Sequence, residues 1–91
     1  MKDATTFIQS ADFYLQASNL ILATAPLQNQ IQVCNDELMT LITLGRYRLE
    51  MDRVQALKDE IFGCKIEIQA LRVKARRLSD EARRLRSARA L

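Results

Sequence analysis

The sequence predicts an all-α protein, and three observations support this prediction. Two glycines and one proline among 91 residues leave little material for turns and strands. Ala, Leu, Gln, Arg and Glu, which favour helices, are abundant. Apolar residues recur at steps of three and four, the spacing of one helix face. We therefore expect an N-terminal helical pair in residues 1–45, packed on one long coiled-coil helix in residues 46–91.

The first predicted helix spans about 5–24, with Thr5 or Asp3 as its N-cap. Its broad apolar face consists of Phe7, Ile8, Ala11, Tyr14, Leu15, Ser18, Ile21 and Leu22. A second apolar stripe on another side consists of Phe13, Ala17 and Leu20. A helix that is apolar on two sides usually lies between neighbours. We expect it in the core of its own bundle, the alternative being the groove of a partner that contacts Phe7, Phe13 and Tyr14.

The second predicted helix spans about 26–44 and begins at Pro26 or Leu27, because proline fits the first turn of a helix. Its apolar face steps by four and three through Leu27, Ile31, Cys34, Leu38 and Leu41. This spacing fails at Gly45. A tight turn there and a continuous helix with a change of face both satisfy the pattern. We favour the turn, because it lets helix 2 fold back.

The long helix, at about 47–90, carries a strict heptad pattern from Val54 onward. Its apolar positions, called the seam below, are Val54, Leu57, Ile61, Cys64, Ile68, Leu71, Ala75, Leu78, Ala82 and Leu85. Position a of the heptad holds Val54, Ile61, Ile68, Ala75 and Ala82, and position d holds Leu57, Cys64, Leu71, Leu78 and Leu85. β-branched side chains at a with Leu at d favour two parallel strands. In a parallel homodimer the flanking charges would pair Glu60 with Lys65, Glu67 with Arg72 and Glu81 with Arg86. The pattern therefore favours a parallel homodimer, with an internal bundle or a different partner chain as alternatives.

The predicted helix lengths give a second reason to expect an oligomer. At a rise of 1.5 Å per residue, the long helix measures about 65 Å and each shorter helix about 25–30 Å. Folded back, the shorter helices would cover only its first half and leave Leu78 and Leu85 exposed unless a second chain meets them. A further apolar row, Phe62, Ile66 and Val73, lies opposite the seam. We expect helices 1 and 2 to cover this row.

The formal net charge of +3 divides unevenly along the chain. Residues 1–45 hold one base against four acids, and residues 46–91 hold thirteen bases against seven acids. An acidic half and a basic half suit docking of one on the other. The arginine-rich end could also contact a nucleic acid or an anionic surface. The residues that would make this contact are Arg72, Arg76, Arg77, Arg83, Arg84 and Arg86.

Several functional classes find little support in the sequence. The chain has no histidine, the usual general base near neutral pH, and no glycine-rich phosphate loop. Two cysteines thirty residues apart, Cys34 and Cys64, do not form a metal-ligand cluster and are expected as buried free thiols. We therefore expect no enzyme, cofactor or metal. No stretch is apolar enough for a membrane span. We expect an intracellular, cytoplasmic protein, with nuclear or surface association left open.

These observations together predict a non-enzymatic structural or adaptor module for protein–protein interaction. The seam would oligomerise it, as a homodimer or with a coiled-coil partner, and the N-terminal helices would offer a surface to another protein. The competing hypothesis is binding of a nucleic acid or an anionic surface through the arginine-rich end. Salt dependence separates the two, because binding to phosphates weakens steeply with salt.

Overall fold

The protein is all-α, as the composition predicts. The computed structural model describes residues 2–90, and the side chains of residues 6–88. Its three helices are α1 (Lys2–Leu22), α2 (Thr24–Thr43) and α3 (Met51–Ala90). The two N-terminal helices pack on the long C-terminal one. The predicted caps at Asp3 and Thr5 lie outside the described side chains.

The chain forms two compact units that share α3. The α2 unit comprises Thr24–Gln69, that is, α2, the turn after it and the first half of α3. The α1 unit comprises α1 and the part of α3 from Ala70 onward. Each unit is therefore a pair of helices in which one helix belongs to α3.

The core of the α2 unit consists of Cys34, Leu41, Val54 and Leu57, with Leu38, Tyr47 and Ile61 packed against it. Val54 and Leu57 are each 1% exposed, and burial of such a side chain stabilises the fold by about 1.5–3 kcal/mol. Polar contacts flank this core. Arg53 donates to both carboxylate oxygens of Glu37, at 2.9 and 2.7 Å, and Gln30 donates to Glu60 at 2.6 Å.

As the residue number increases along α3, the residue that it contacts in α2 has a lower number. The two helices therefore run antiparallel. The seam positions of this unit therefore pack against α2 of the same chain.

The core of the α1 unit is built from small residues. Ser10, Ala17, Ala75 and Ala82 are all buried. The Ser10 hydroxyl lies within hydrogen-bonding reach of the Ala82 carbonyl oxygen, at 3.4 Å. Small side chains at a helix interface let the two backbones approach closely.

A tight turn at Gly45 separates α2 from α3, which confirms the prediction of a turn there. Gly45 has a positive φ of 69°, the left-handed conformation that favours glycine. The Arg46 amide donates to the Leu41 carbonyl at 2.9 Å and the Gly45 amide to the Ile42 carbonyl at 3.0 Å. These two bonds make a Schellman motif, which satisfies carbonyls that the helix end would leave unpaired. α3 then begins at Met51, later than the predicted Tyr47.

The break between α1 and α2 is a single residue, Ala23. Proline has no N–H, so Pro26 cannot donate to the Leu22 carbonyl, and its ring crowds that carbonyl. α2 nevertheless begins at Thr24, two residues before the predicted start, since a proline is tolerated in the first turn. Thr24 is buried, and Gln28 donates to its hydroxyl at 3.3 Å.

The prediction that both N-terminal helices lie on the first half of α3 is wrong. α1 packs on the second half, in the α1 unit. Leu78 and Leu85 are therefore half-buried within the chain, and neighbouring Ala82 is fully buried. The chain supplies its own cover for the end of the seam, and this reason for a second chain disappears.

Two further expectations about buried faces are also wrong. The row opposite the seam is uncovered, and Phe62 is 65% exposed. The broad apolar face of α1 is exposed as well, except for half-buried Tyr14, whereas its second stripe, with Phe13, Ala17 and Leu20, faces the interior. The physical reason is common to both, because a helix paired with only one neighbour buries one stripe and leaves any other in solvent.

Candidate interaction surfaces

The outer side of α1 carries five large apolar side chains that are exposed. We call it the α1 apolar face; its exposed members are Phe7, Ile8, Leu15, Ile21 and Leu22. Their exposure ranges from 48% at Ile21 to 69% at Leu22. Asp12 is the one charged residue among the described side chains of α1, and it accepts a hydrogen bond from Gln16 at 2.9 Å. The α1 apolar face is therefore a stripe without charge.

A groove lies beside this face, between α1 and α3 in the α1 unit. Its volume is about 740 Å³, within the range of sites that enclose a small ligand or several side chains. The floor includes the buried residues Ala17 and Ala75, and Tyr14, Ile21 and Leu22 line the α1 wall. We call this cavity the α1 groove.

The opposite wall of the α1 groove is cationic. It is formed by Arg72, Arg76 and Arg83, together with Ser79 and Asp80. Positions 72, 76 and 83 follow one another at steps of four and seven, so they share one side of the helix. Arg83 lies 3.9 Å from the Asp80 carboxylate, and both side chains are largely exposed. Three positive charges against one negative charge leave this wall electropositive.

The remaining arginines proposed for polyanion contact lie outside the α1 groove. Arg84 lies 3.5 Å from Glu81, and Arg86 lies over the Tyr14 ring, 5.3 Å from the centroid. Arg77 is exposed. Within residues 6–88, no carboxylate lies within ion-pair distance of Arg72, Arg76 or Arg77. The arginine-rich end is therefore divided between the groove wall and other directions.

The three aromatic residues predicted to contact a partner have different surroundings. Phe7 is 56% exposed and belongs to the α1 apolar face. Phe13 is half-buried on the stripe that faces α3. Tyr14 is half-buried at the α1 groove, under Arg86. Phe7 and Tyr14 thus reach the surface regions described above, and Phe13 does not.

The predicted seam residues all face the interior of one of the two units. Val54, Leu57, Cys64 and Ile68 are buried in the α2 unit, and Ile61 is half-buried there. In the α1 unit Leu71, Leu78 and Leu85 are half-buried.

Both cysteines are free and buried in the α2 unit. Burial raises the pKa of the Cys34 thiol, and a hydrogen bond to the Glu60 carboxylate and its negative charge act in the same direction. Gln30 donates to the sulfur at 3.9 Å, a smaller effect that opposes these. A buried thiol with a raised pKa stays protonated at neutral pH, and the protonated form is a poor nucleophile and metal ligand.

The described residues contain neither a metal-ligand cluster nor a membrane-spanning helix. No group of three or more Cys, Asp or Glu side chains between residues 6 and 88 is arranged to hold a metal ion. None of the helices within 2–90 has the length and apolar character that crossing a bilayer requires.

Sequence reasoning found the second stripe of α1 but did not identify it as the inward face of that helix. The buried residues Ser10 and Thr24 are polar, so an apolar count passes over them. The sequence nevertheless indicated this face through the regular spacing of its inward positions. Steps of three and four run without interruption through residues 10, 13, 17, 20, 24, 27, 31, 34, 38 and 41.

Comparison with protein-family models, curated proteins and solved structures returned no match.

Proposed function

We propose that this chain is a non-enzymatic structural or adaptor module that binds another helical protein through the α1 apolar face. The observation that carries the proposal is the exposure of five large apolar side chains on one helix, with Phe7 and Leu22 more than half exposed. Contiguous exposed apolar surface of this kind marks interaction sites in proteins. The buried state of both thiols also supports a role in binding rather than chemistry.

The choice of α1 follows from how the two stripes of the helix are used. The inward stripe, with Ser10 and Ala17, already packs on α3 and is unavailable to a partner. The outward stripe is larger and carries no charge, so covering it costs little desolvation of polar groups. A helical partner would complete the burial that a pair of helices leaves unfinished.

A site-specific photo-cross-linker tests the proposal. Benzoylphenylalanine at Leu15 lies within the α1 apolar face, and the same group at the exposed residue Gln9 on the polar side of α1 is the matched control. In extracts of the source cell we expect a dominant protein adduct from position 15 that is absent from position 9. Ile8→Glu should abolish the adduct without changing the helical content. Identical adducts from both positions would contradict the proposal.

Light scattering of the purified chain identifies the case in which the partner is a second copy. A mass of 10.4 kDa corresponds to one chain. If a larger mass returns to this value in Leu15→Glu, the α1 apolar face binds itself. A single-chain mass at all concentrations excludes a second copy as the partner, and the cross-linked adduct from position 15 then tests for a different protein.

The parallel homodimer through the seam stays a prediction. Its seam positions already pack against α1 and α2, so a second chain would have to displace these helices. Cys64 occupies a d position, and oxidation of an in-register parallel dimer would form a Cys64–Cys64 disulfide that Cys64→Ser removes. In contrast, the packing within one chain predicts no such disulfide.

A second candidate function is binding of a nucleic acid or an anionic surface through the arginine-rich end. The specific observation in its favour is that Arg72, Arg76 and Arg77 are exposed without a carboxylate partner among side chains 6–88. A salt titration of binding to duplex DNA, single-stranded RNA and anionic vesicles tests it. A steep log-linear loss of affinity with salt would support it.

A further inference from the structure

The α1 groove suggests the chemistry of the partner that the module binds. Its two walls differ sharply. Ile21 and Leu22 on the α1 wall are apolar and exposed, and Arg72, Arg76 and Arg83 on the α3 wall are positively charged. A ligand that matches both walls must present an apolar surface bordered by negative charge.

The depth of the groove favours side chains over a flat surface. Its floor residues Ala17 and Ala75 are buried, at 6% and 4% exposure. A bilayer surface cannot follow this floor, whereas side chains that project from a helix can reach into it. The apolar stripe of a helix laid in a groove is a recurring mode of protein recognition.

The chemistry of the walls also disfavours a nucleic acid. The phosphate backbone would satisfy the arginines but leave Ile21 and Leu22 against a charged surface. The aromatic ring at the groove, Tyr14, lies under Arg86. A base that stacked on Tyr14 would have to displace this guanidinium.

A second copy of this chain fits the groove poorly. In a symmetric dimer the same surface meets itself, so the arginine wall of one copy would face the arginine wall of the other. The resulting repulsion would be strongest at low salt. The groove therefore favours a different chain, one that carries acidic residues.

We propose that the α1 groove binds an amphipathic helix of another protein whose apolar stripe is bordered by Asp or Glu. The apolar stripe of the partner helix lies along Ile21 and Leu22, and its acidic border lies along Arg72, Arg76 and Arg83. This inference rests on the proposed function and adds the charge of the partner. It also assigns Arg76 and Arg83 the role of selecting that partner.

The experiment measures binding of labelled synthetic helices by fluorescence anisotropy. One three-heptad peptide has Leu at a and d and Glu at the flanking positions, and the second has Lys in place of every Glu. We expect the Glu peptide to bind about tenfold more tightly, which three exposed ion pairs can supply. We also expect this difference to shrink as salt rises.

Matched charge reversals locate the effect. Arg76→Glu combined with Arg83→Glu changes the groove wall and should reverse the preference toward the Lys peptide. Arg77→Glu combined with Arg84→Glu makes the same change of net charge outside the groove and should preserve the preference for the Glu peptide. All four side chains are exposed, so the circular-dichroism spectrum should not change.

The inference would be overturned by equal affinity for the two peptides, by an equal effect of both double variants, or by absence of binding to either peptide. Tighter binding to phosphatidylserine vesicles or to duplex DNA that needs Arg76 and Arg83 would also overturn it. Equal binding of both peptides that is lost in Leu22→Ser rejects the acidic partner but leaves the proposed function intact. That function fails separately, in the cross-linking at Leu15.

Discussion

The Ser10 hydroxyl lies 3.4 Å from the carbonyl oxygen of Ala82, and both residues are fully buried. A contact of this kind between a side chain and the backbone of a facing helix requires the two helices to lie close together. It also leaves no room for a larger side chain at either position. The packing of the α1 unit therefore depends on small residues.

Ala82→Leu tests the close approach. The added carbons must either separate α1 from α3 or take a strained rotamer, so we expect a loss of about 1–3 kcal/mol in the free energy of unfolding. Ala70→Leu makes the same chemical change at an exposed position of α3 and should change it by less than about 0.5 kcal/mol. Urea denaturation followed by circular dichroism measures both. Equal effects of the two substitutions would contradict the packing described for the α1 unit.

The two glycines should respond in opposite directions to alanine. Gly45→Ala places a side chain at a φ of 69° and should destabilise the protein by about 1–2 kcal/mol. Gly63→Ala, inside α3, should stabilise it by about 0.5–1 kcal/mol. No atom lies within 4 Å of the added Cβ at either position, so the backbone alone decides the sign. Midpoints of urea unfolding compare the two variants, and a shared sign would contradict the turn geometry.

Leu57 and Phe62 test which side of α3 faces the core. Leu57 is 1% exposed, and Leu57→Ala should cost about 2–5 kcal/mol because it leaves a cavity. Phe62 belongs to the uncovered row, and Phe62→Ala should cost less than about 0.5 kcal/mol. The measurement is the free energy of unfolding at low protein concentration. A large cost at Phe62 would show that this row is covered in solution.

The free energy of unfolding should depend on pH through the ionisation of the Cys34 thiol. Its pKa is raised in the folded chain by burial and by Glu60. The folded state therefore holds the proton longer, and this contribution is fully present below the pKa of the unfolded thiol, about 8.5. It is lost as pH rises from there through the pKa of the folded thiol, with a slope of at most about 1.4 kcal/mol per pH unit.

Cys34→Ala removes this thiol and should flatten the alkaline decline of the unfolding free energy. Because the substitution also leaves a cavity, the comparison uses the slope against pH and not the absolute stability. Urea unfolding at a series of pH values from neutral to alkaline gives both slopes. Equal slopes for the two proteins would show that the Cys34 proton does not contribute.

The helices and the turn could be predicted from the sequence, because periodicity and glycine act locally. The heptads identified the inward side of α3, and the failure of spacing at Gly45 identified the turn. The inward side of α1 could not be identified by apolar count, since its buried positions include Ser10 and its exposed ones include Phe7. The side of α1 that faces α3 is decided by the register between the two helices and by close packing against Ala82. Both depend on the pair of helices and cannot be read from α1 alone.

The α1 groove was not predictable for a related reason. The arginines were visible in the sequence as a basic run, with no indication of which would share a wall. Only the pairing of α1 with the second half of α3 makes Arg76, Arg83 and Leu22 line the same groove. The expected length mismatch concealed this pairing, because it placed α1 on the wrong half of α3.

The turn at Gly45 has a consequence for the order in which the protein folds. Contacts near the turn join residues that are close in sequence, such as Arg53 and Glu37, sixteen positions apart. The contact of Ser10 with Ala82 spans 72 positions. Closing the longer loop first would cost about 1.3 kcal/mol more in chain entropy. Folding should therefore start next to the turn at Gly45, where α2 pairs with the beginning of α3. The pairing should then extend away from the turn, and α1 should dock last.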